Sequence, residues 1–186
     1  MNPSTESILA GIDQVPAETV FVLPNNGNII MAAQQCQGLT EKNVVVIPSK
    51  TVPQGITAMM NIDPEAEVAS ITEAMTEALS TVTTSQITYA ARNSDFDGFA
   101  INEGDYLALL DGKLFGTERD ITSLLTRLAA LAAEREAAFV TLFYGEGVSQ
   151  EEAEAAQALF TEACPETEIS LLSGGQPVYY YTISIE

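Results

Sequence analysis

Two runs of consecutive apolar residues, each closed by a proline, organise the first part of the chain. Val20, Phe21, Val22 and Leu23 precede Pro24, and Val44, Val45, Val46 and Ile47 precede Pro48. Runs without polar alternation predict strands covered on both faces, and a helix between them supplies the crossover that a parallel pair needs. The first run leads through Asn25, Asn26 and Gly27 into a predicted helix over 28–37, and the second through residues 49–55 into a predicted helix over 56–60. Upstream, Ser4 and Thr5 cap a short helix reaching Ile12. Downstream, Asp63 and Pro64 predict a cap with a first-position proline, opening a helix whose Val68, Ile71, Met75 and Leu79 share one stripe. The polar, β-branched run 80–85 reads as the junction to a second lobe.

Beyond it the periodicity changes. Residues 86–92 alternate as a strand, residues 105–110 form another, and Asp111-Gly112 is a two-residue hairpin signal leading into Lys113. Asp120 caps a helix carrying Ile121, Leu124, Leu125, Leu128 and Leu131 inward, and residues 139–144 return as a strand. Ser149 and Glu152 make a capping box for a helix with Ala153, Ala156, Leu159 and Phe160 inward. Strands over 168–172 and 178–185 complete the half. The consecutive Tyr179, Tyr180 and Tyr181 are expected to alternate faces of an edge strand. The fold class is therefore α/β: a small parallel α/β layer over 1–82 followed by a mixed-sheet α/β lobe over 83–186, as two lobes or one compact unit.

Charge narrows the partners. The formal net charge is −19, from 26 acidic and 7 basic side chains, which repels phosphate backbones and anionic membrane surfaces, so no nucleic-acid partner is expected. The imbalance is uneven: residues 1–62 hold four acids against Lys42 and Lys50, a net of −2, and residues 63–186 hold 22 acids against five bases, a net of −17. The sequence has no histidine, which removes Ser-His-Asp and Cys-His nucleophiles and the near-neutral proton shuttle. No stretch approaches the roughly 20 apolar residues of a membrane span, and the first residues lack the basic and apolar regions of a signal peptide, so membrane insertion is not expected and a cytoplasmic location is. Cys36 and Cys164 fit neither a CxxC motif nor a disulfide framework, and read as reduced, partly buried thiols.

The carboxyl ends of parallel strands are the natural ligand crevice of such a layer. The loops arriving there carry Asn25, Asn26, Asn28, Ser49, Lys50, Thr51 and Gln54, donors and one cation suited to a carboxylate, a phosphate or a partner backbone. The same residue types serve equally well as caps and turn formers. Asn93, Asp95, Asp97 and Gly98 match the opening of a calcium loop, but Gly104 stands where the closing bidentate acid belongs, so a polar turn is the expectation and no metal site is assigned. No GxGxxG or GxxxxGK[ST] motif occurs, so ATP binding by this chain is not expected.

Residues 1–6, Phe21 with the segment to Ala33, Val44 with the segment to Met59, residues 87–92, Asp97-Gly98, residues 103–106 and Gly174-Gly175-Gln176-Pro177 resemble the C-terminal region of the Dak-phosphatase/YloV-type family, which includes the ATP-binding subunit of bacterial fatty acid kinase. The resemblance implies a two-lobed, DegV-like (EDD-type) fold. It implies a non-catalytic domain that docks a DegV-like fatty-acid-binding partner through the loops at 25–28 and 49–54, for phosphorylation of the carried acyl group by a kinase domain elsewhere. ATP and Mg would then be bound by the N-terminal DhaL-like domain of full-length members, a domain this sequence does not contain, and the remaining kinase domains are further partners. The chain reads as an excised domain or a natural short protein, with no cofactor of its own and with a homo-oligomer left open. The alternative is a small-molecule domain holding a fatty acid or phosphorylated ligand in an inter-lobe crevice.

Overall fold

The computed structural model describes residues 2–96 and 99–186, without the side chains of Phe96 and Phe99. The chain divides into two compact units, Met1–Val82 and Thr83–Glu186.

In the first unit, strands β1 (Thr19–Val22) and β2 (Asn43–Val46) pair in parallel, with Val20 beside Val44 and Val22 beside Val46. The crossover is the helix α2 (Ile30–Gln35) with a single 3₁₀ turn, Cys36–Gly38. Alternate side chains of these apolar runs enter two separate cores. Val20 and Val44 pack with Ile12 of α1 (Thr5–Gln14) and Cys36. Phe21, Val45 and Ile47 pack with Ala58 of α3 (Val52–Met60) and with Ile71 and Met75 of α4 (Val68–Ala78). A two-stranded layer survives here because both of its faces are covered.

Two boundaries differ from expectation. Helix α3 begins at Val52 rather than Ile56, because the Thr51 hydroxyl accepts the N–H of Gln54 at 3.3 Å and Pro53 fits the first turn, where no N–H is required. Helix α4 begins at Val68 rather than at Pro64: Asp63 Oδ1 accepts the Glu65 N–H at 3.0 Å in a local turn, and that bond replaces a helix cap.

The second unit is a six-stranded sheet in the order β7-β6-β3-β10-β8-β9. Its strands are β3 (Thr83–Tyr89), β6 (Tyr106–Leu110), β7 (Lys113–Glu118), β8 (Phe139–Tyr144), β9 (Glu168–Ser173) and β10 (Tyr181–Ile185). A separate short pair, β4 (Ser94–Phe96) and β5 (Phe99–Ile101), lies between β3 and β6 in sequence. Only β8 and β9 run parallel, joined through α6 (Gln150–Ala163), and the other pairings in this sheet are antiparallel. Helix α5 (Ile121–Glu134) and α6 cover one face, where Leu124, Leu128, Leu142, Ile183 and Phe160 are fully buried. The hairpin between β6 and β7 forms as its sequence predicts, with Asp111 at φ 48° and Gly112 at φ 80°, the left-handed pair that such a turn requires.

The run 80–85 is not simply a junction. Its last three residues start β3, where Ser85 pairs with Ile183 on one side and Leu110 on the other. The C-terminal strand is likewise shorter and more central than expected. Only Tyr181 of the three tyrosines lies in β10, buried between β3 and β8, while Val178 at φ 73° precedes Tyr179 and Tyr180 in the approach. Both cysteines are buried free thiols, and burial raises the pKa of each.

The Ser85 hydroxyl is fully buried without a hydrogen-bond partner among the described residues. Because an orphaned buried hydroxyl costs more than an absent one, Ser85→Ala is expected to raise unfolding stability by about 1 kcal/mol. Urea denaturation of the variant checks this, and a loss of stability would contradict it.

Candidate functional site

Strands β1 and β2 end side by side, and the Ile47 N–H still reaches the Val22 carbonyl at 3.0 Å. The loops leaving them therefore start from one edge of the layer. Asn25 takes φ 54°, a left-handed conformation that asparagine tolerates better than most residues. It is held there by Ser49, whose fully buried hydroxyl accepts the Asn25 N–H at 3.0 Å and donates to Asn25 Oδ1 at 2.8 Å. The Asn25 side chain lies directly over Gly55 in α3, at a spot where a methyl group would collide with it.

Gln54 ties the second loop together. Its Oε1 accepts the Lys50 N–H at 2.8 Å, and its amide Nε2 donates to the Leu79 carbonyl at 3.2 Å. Asn26 Oδ1 accepts the Asn28 N–H at 2.9 Å, closing the turn that follows Asn25. The structure thus bonds Asn25 to Ser49 and, next along the chain, Lys50 and Thr51 to Gln54, with Asn26 and Asn28 in the turn after Asn25. Ser49, Thr51, Gln54 and the acceptor atom of Asn26 serve to hold the loops. Lys50 and Asn28 are exposed, and their side-chain nitrogens have no partner among the described residues.

Lys50 is also the available cation of this unit. Lys42 places its ammonium on the carbonyls of Ile12, Asp13 and Val15, closing the C-terminal end of α1. That leaves Lys50 as the other lysine in a stretch, residues 1–82, that contains no arginine.

A feature the residue types did not announce adjoins the loop. Val52, Ile56, Met59 and Met60 of α3 are all exposed, Met60 at 79% and Met59 at 59%. Their spacing of four, seven and eight residues from Val52 puts them on one helix face. The signal was present as a second apolar stripe, on the side away from the buried Ala58.

The segment expected to be a polar turn, which resembles a calcium-loop opening, includes Asp97 and Gly98, which lie outside the described residues. Around it, Asn93 Oδ1 accepts the Glu103 N–H at 2.6 Å, and Asp105 accepts the Asn102 N–H at 2.9 Å and pairs with Arg119 at 3.0 Å. These bonds, led by that from the Asn102 backbone, hold the Asp105 carboxyl below its usual pKa. Among the described residues no three His, Cys, Asp or Glu side chains converge as metal ligands, and no helix is long and apolar enough to cross a membrane. The site loops offer one lysine and no glycine-rich phosphate cradle.

The FakA-like C-terminal family, from fatty acid kinase, matches residues 1–186. Protein YloV of Bacillus subtilis is 40% identical over 186 residues, covering 100% of this chain and 34% of its own length. An uncharacterised Staphylococcus aureus protein is 31% identical over the same 186 residues, again 34% of its length. The chain thus spans about a third of these relatives. Among solved structures, the Streptococcus pneumoniae fatty acid kinase B3 protein loaded with linoleic acid superposes with a TM-score of 0.71 at 13% identity, over 99% of this chain and 76% of that one. A Eubacterium eligens DegV family protein loaded with heptadecanoic acid gives 0.74 at 16% identity, over 99% and 78%. At such identities the likeness shows the fold, which is DegV-like.

Proposed function

This chain belongs to the FakA-like C-terminal family of fatty acid kinase, and from that premise we propose that it is a non-catalytic docking domain. It presents the Asn25 and Lys50 loops to a DegV-like fatty-acid-binding protein, whose acyl carboxylate is phosphorylated by a kinase domain elsewhere in the longer protein, where ATP and magnesium would be held. The location proposed is the cytoplasm.

The observation that carries the reading is the pairing of a rigidly bonded donor loop with an exposed apolar helix face. Free amide and ammonium donors at Asn28 and Lys50 supply directional contacts, and Val52, Ile56, Met59 and Met60 supply apolar area, methionine being enriched at interfaces. This surface sits in the near-neutral part of the sequence, so a partner meets it without the repulsion that residues 63–186 exert on acidic surfaces.

Calorimetry with the cognate, fatty-acid-loaded carrier tests the proposal. Saturable binding is expected, weakened about tenfold or more by the double change Lys50→Ala and Met59→Ser. No binding by the folded chain would overturn it. The acyl-loaded structural neighbours favour a second reading, in which this chain itself holds a fatty acid or a phosphorylated ligand. Native mass spectrometry distinguishes the two, because a co-purified ligand mass supports only the second.

A further inference from the structure

The second unit contains a cavity that the docking reading leaves unused. It has a volume of about 410 Å³ and lies where β8 runs into α6 and β7 into α5. Leu125 of α5 and Ala156 and Leu159 of α6 line it with apolar surface, and Tyr106, Tyr180 and Tyr181 bring aromatic rings to it. The Tyr106 and Tyr180 rings meet nearly at right angles, at 78° with centroids 5.4 Å apart, and so form an aromatic corner.

The charged residues around it are all acids. Asp120 and Glu152 line the cavity, and no lysine or arginine does. Each spends one oxygen on its helix cap. Asp120 Oδ2 accepts the Ser123 N–H at 3.1 Å, and Glu152 Oε2 accepts the Ser149 N–H at 2.9 Å. Asp120 Oδ1 and Glu152 Oε1 have no hydrogen-bond partner among the described residues, and an ionised carboxylate can only accept. Burial acts on the tyrosines first, and these carboxylates add to it. Burial foremost, then Tyr180, Tyr89, Glu152 and Asp120, raises the pKa of Tyr106, and burial with Glu152 pushes Tyr181 up to about 12. Burial penalises an ion of either sign, whereas Glu152 and Asp120 raise the cost of an anion and lower that of a cation, so the carboxylates set the sign preference of the cavity.

We propose that this cavity binds a small organic cation, an alkylammonium whose hydrocarbon part rests on Leu125, Ala156 and Leu159 while its head sits at the Tyr106–Tyr180 corner beside Asp120 and Glu152. Aromatic faces attract such heads electrostatically, and the volume falls in the lower part of the usual small-ligand range. The assignment is independent of the docking reading, since it uses other residues in the other unit.

The test is a titration of the chain with hexylammonium, hexanol and hexanoate, followed by tyrosine NMR shifts or by tyrosine fluorescence, which is unobscured because the protein has no tryptophan. The three probes share a tail and differ in the head. Hexylammonium is expected to bind about tenfold tighter than hexanol, with hexanoate weakest. Tyr180→Leu, which keeps the net charge, is expected to weaken hexylammonium about tenfold, whereas non-specific attraction to an acidic surface would leave it unchanged. Asp120→Asn, which retains a good helix cap, is expected to narrow the gap between hexylammonium and hexanol and covers the case in which Tyr180→Leu fails to fold. Equal or tighter binding of hexanoate, no saturable hexylammonium binding, or unchanged affinity in both folded variants would overturn the assignment.

Discussion

Gly145→Ala is expected to destabilise the protein by about 3 kcal/mol, although it adds only one methyl group. Gly145 is buried at the end of β8, its N–H donates to the Tyr180 carbonyl at 2.9 Å, and a Cβ there would strike the backbone carbonyls of Tyr179 and Gln176. Backbone oxygens cannot swing aside as a side-chain end can, so the segment carrying Tyr179 and Tyr180 must move as a piece. The movement breaks the Tyr180 bond and draws Tyr180 away from Tyr106. Gly147→Ala is the matched control two residues on, since its methyl would make only ordinary contact with the Tyr180 ring at 3.6 Å, and a change within about 0.5 kcal/mol is expected. Urea denaturation of the pair decides the matter, because similar stabilities would show that the close approach at Gly145 is not a constraint.

The second large effect reverses sign with its background. Gly55 lies inside α3, where alanine normally stabilises a helix by about 1 kcal/mol. Here the new methyl displaces the Asn25 side chain and breaks the Ser49 arrangement, leaving buried polar groups unpaired at a cost of about 1–3 kcal/mol. Gly55→Ala alone should therefore destabilise. In an Asn25→Gly background, where the side chain is gone and φ 54° suits glycine, the same change should stabilise. Carrier affinity is expected to fall with the single change, because the loop that positions Lys50 loses its register. Thermal denaturation of the four proteins of this cycle, with calorimetry on each, provides the measurement. A stabilising effect in the wild-type background would show that Asn25 and Gly55 are not coupled.

Much of the local structure was legible. Ser4, Asp120 and Ser149 cap the helices that their sequence positions indicate, and Asp111-Gly112 makes its hairpin. Those features depend on bonds within three or four residues, so the sequence contains both partners. The misread strand boundaries, unlike those of α3 and α4, lie where a longer-range partner decides. Thr83, Thr84 and Ser85 look like linker, yet they become strand because β10 supplies a complete register from Ile185 to Ile183. Tyr181 looks like an edge residue, yet the strand it begins is inserted between β3 and β8.

The candidate site divides along the same line. That Asn25, Ser49, Lys50 and Gln54 belong together followed from two proline-closed strands and the rule that parallel neighbours end at the same edge. Which of them hold the loops and which remain free to bind did not follow, because a serine hydroxyl serves either purpose until its neighbours are known. The burial of Ser49 and its two bonds to Asn25 assign it to support, and the exposure of Lys50 leaves its ammonium open to solvent.

The acidity divides too. Sequence alone determined its sign and its concentration after residue 62, since charge is additive along a chain whatever its fold. Tertiary structure alone decided that Asp120 and Glu152 border a tyrosine-lined cavity and that each keeps one oxygen unpaired. Proximity between residues 106, 120, 152 and 180 comes from strand order and helix packing, and no local pattern encodes it.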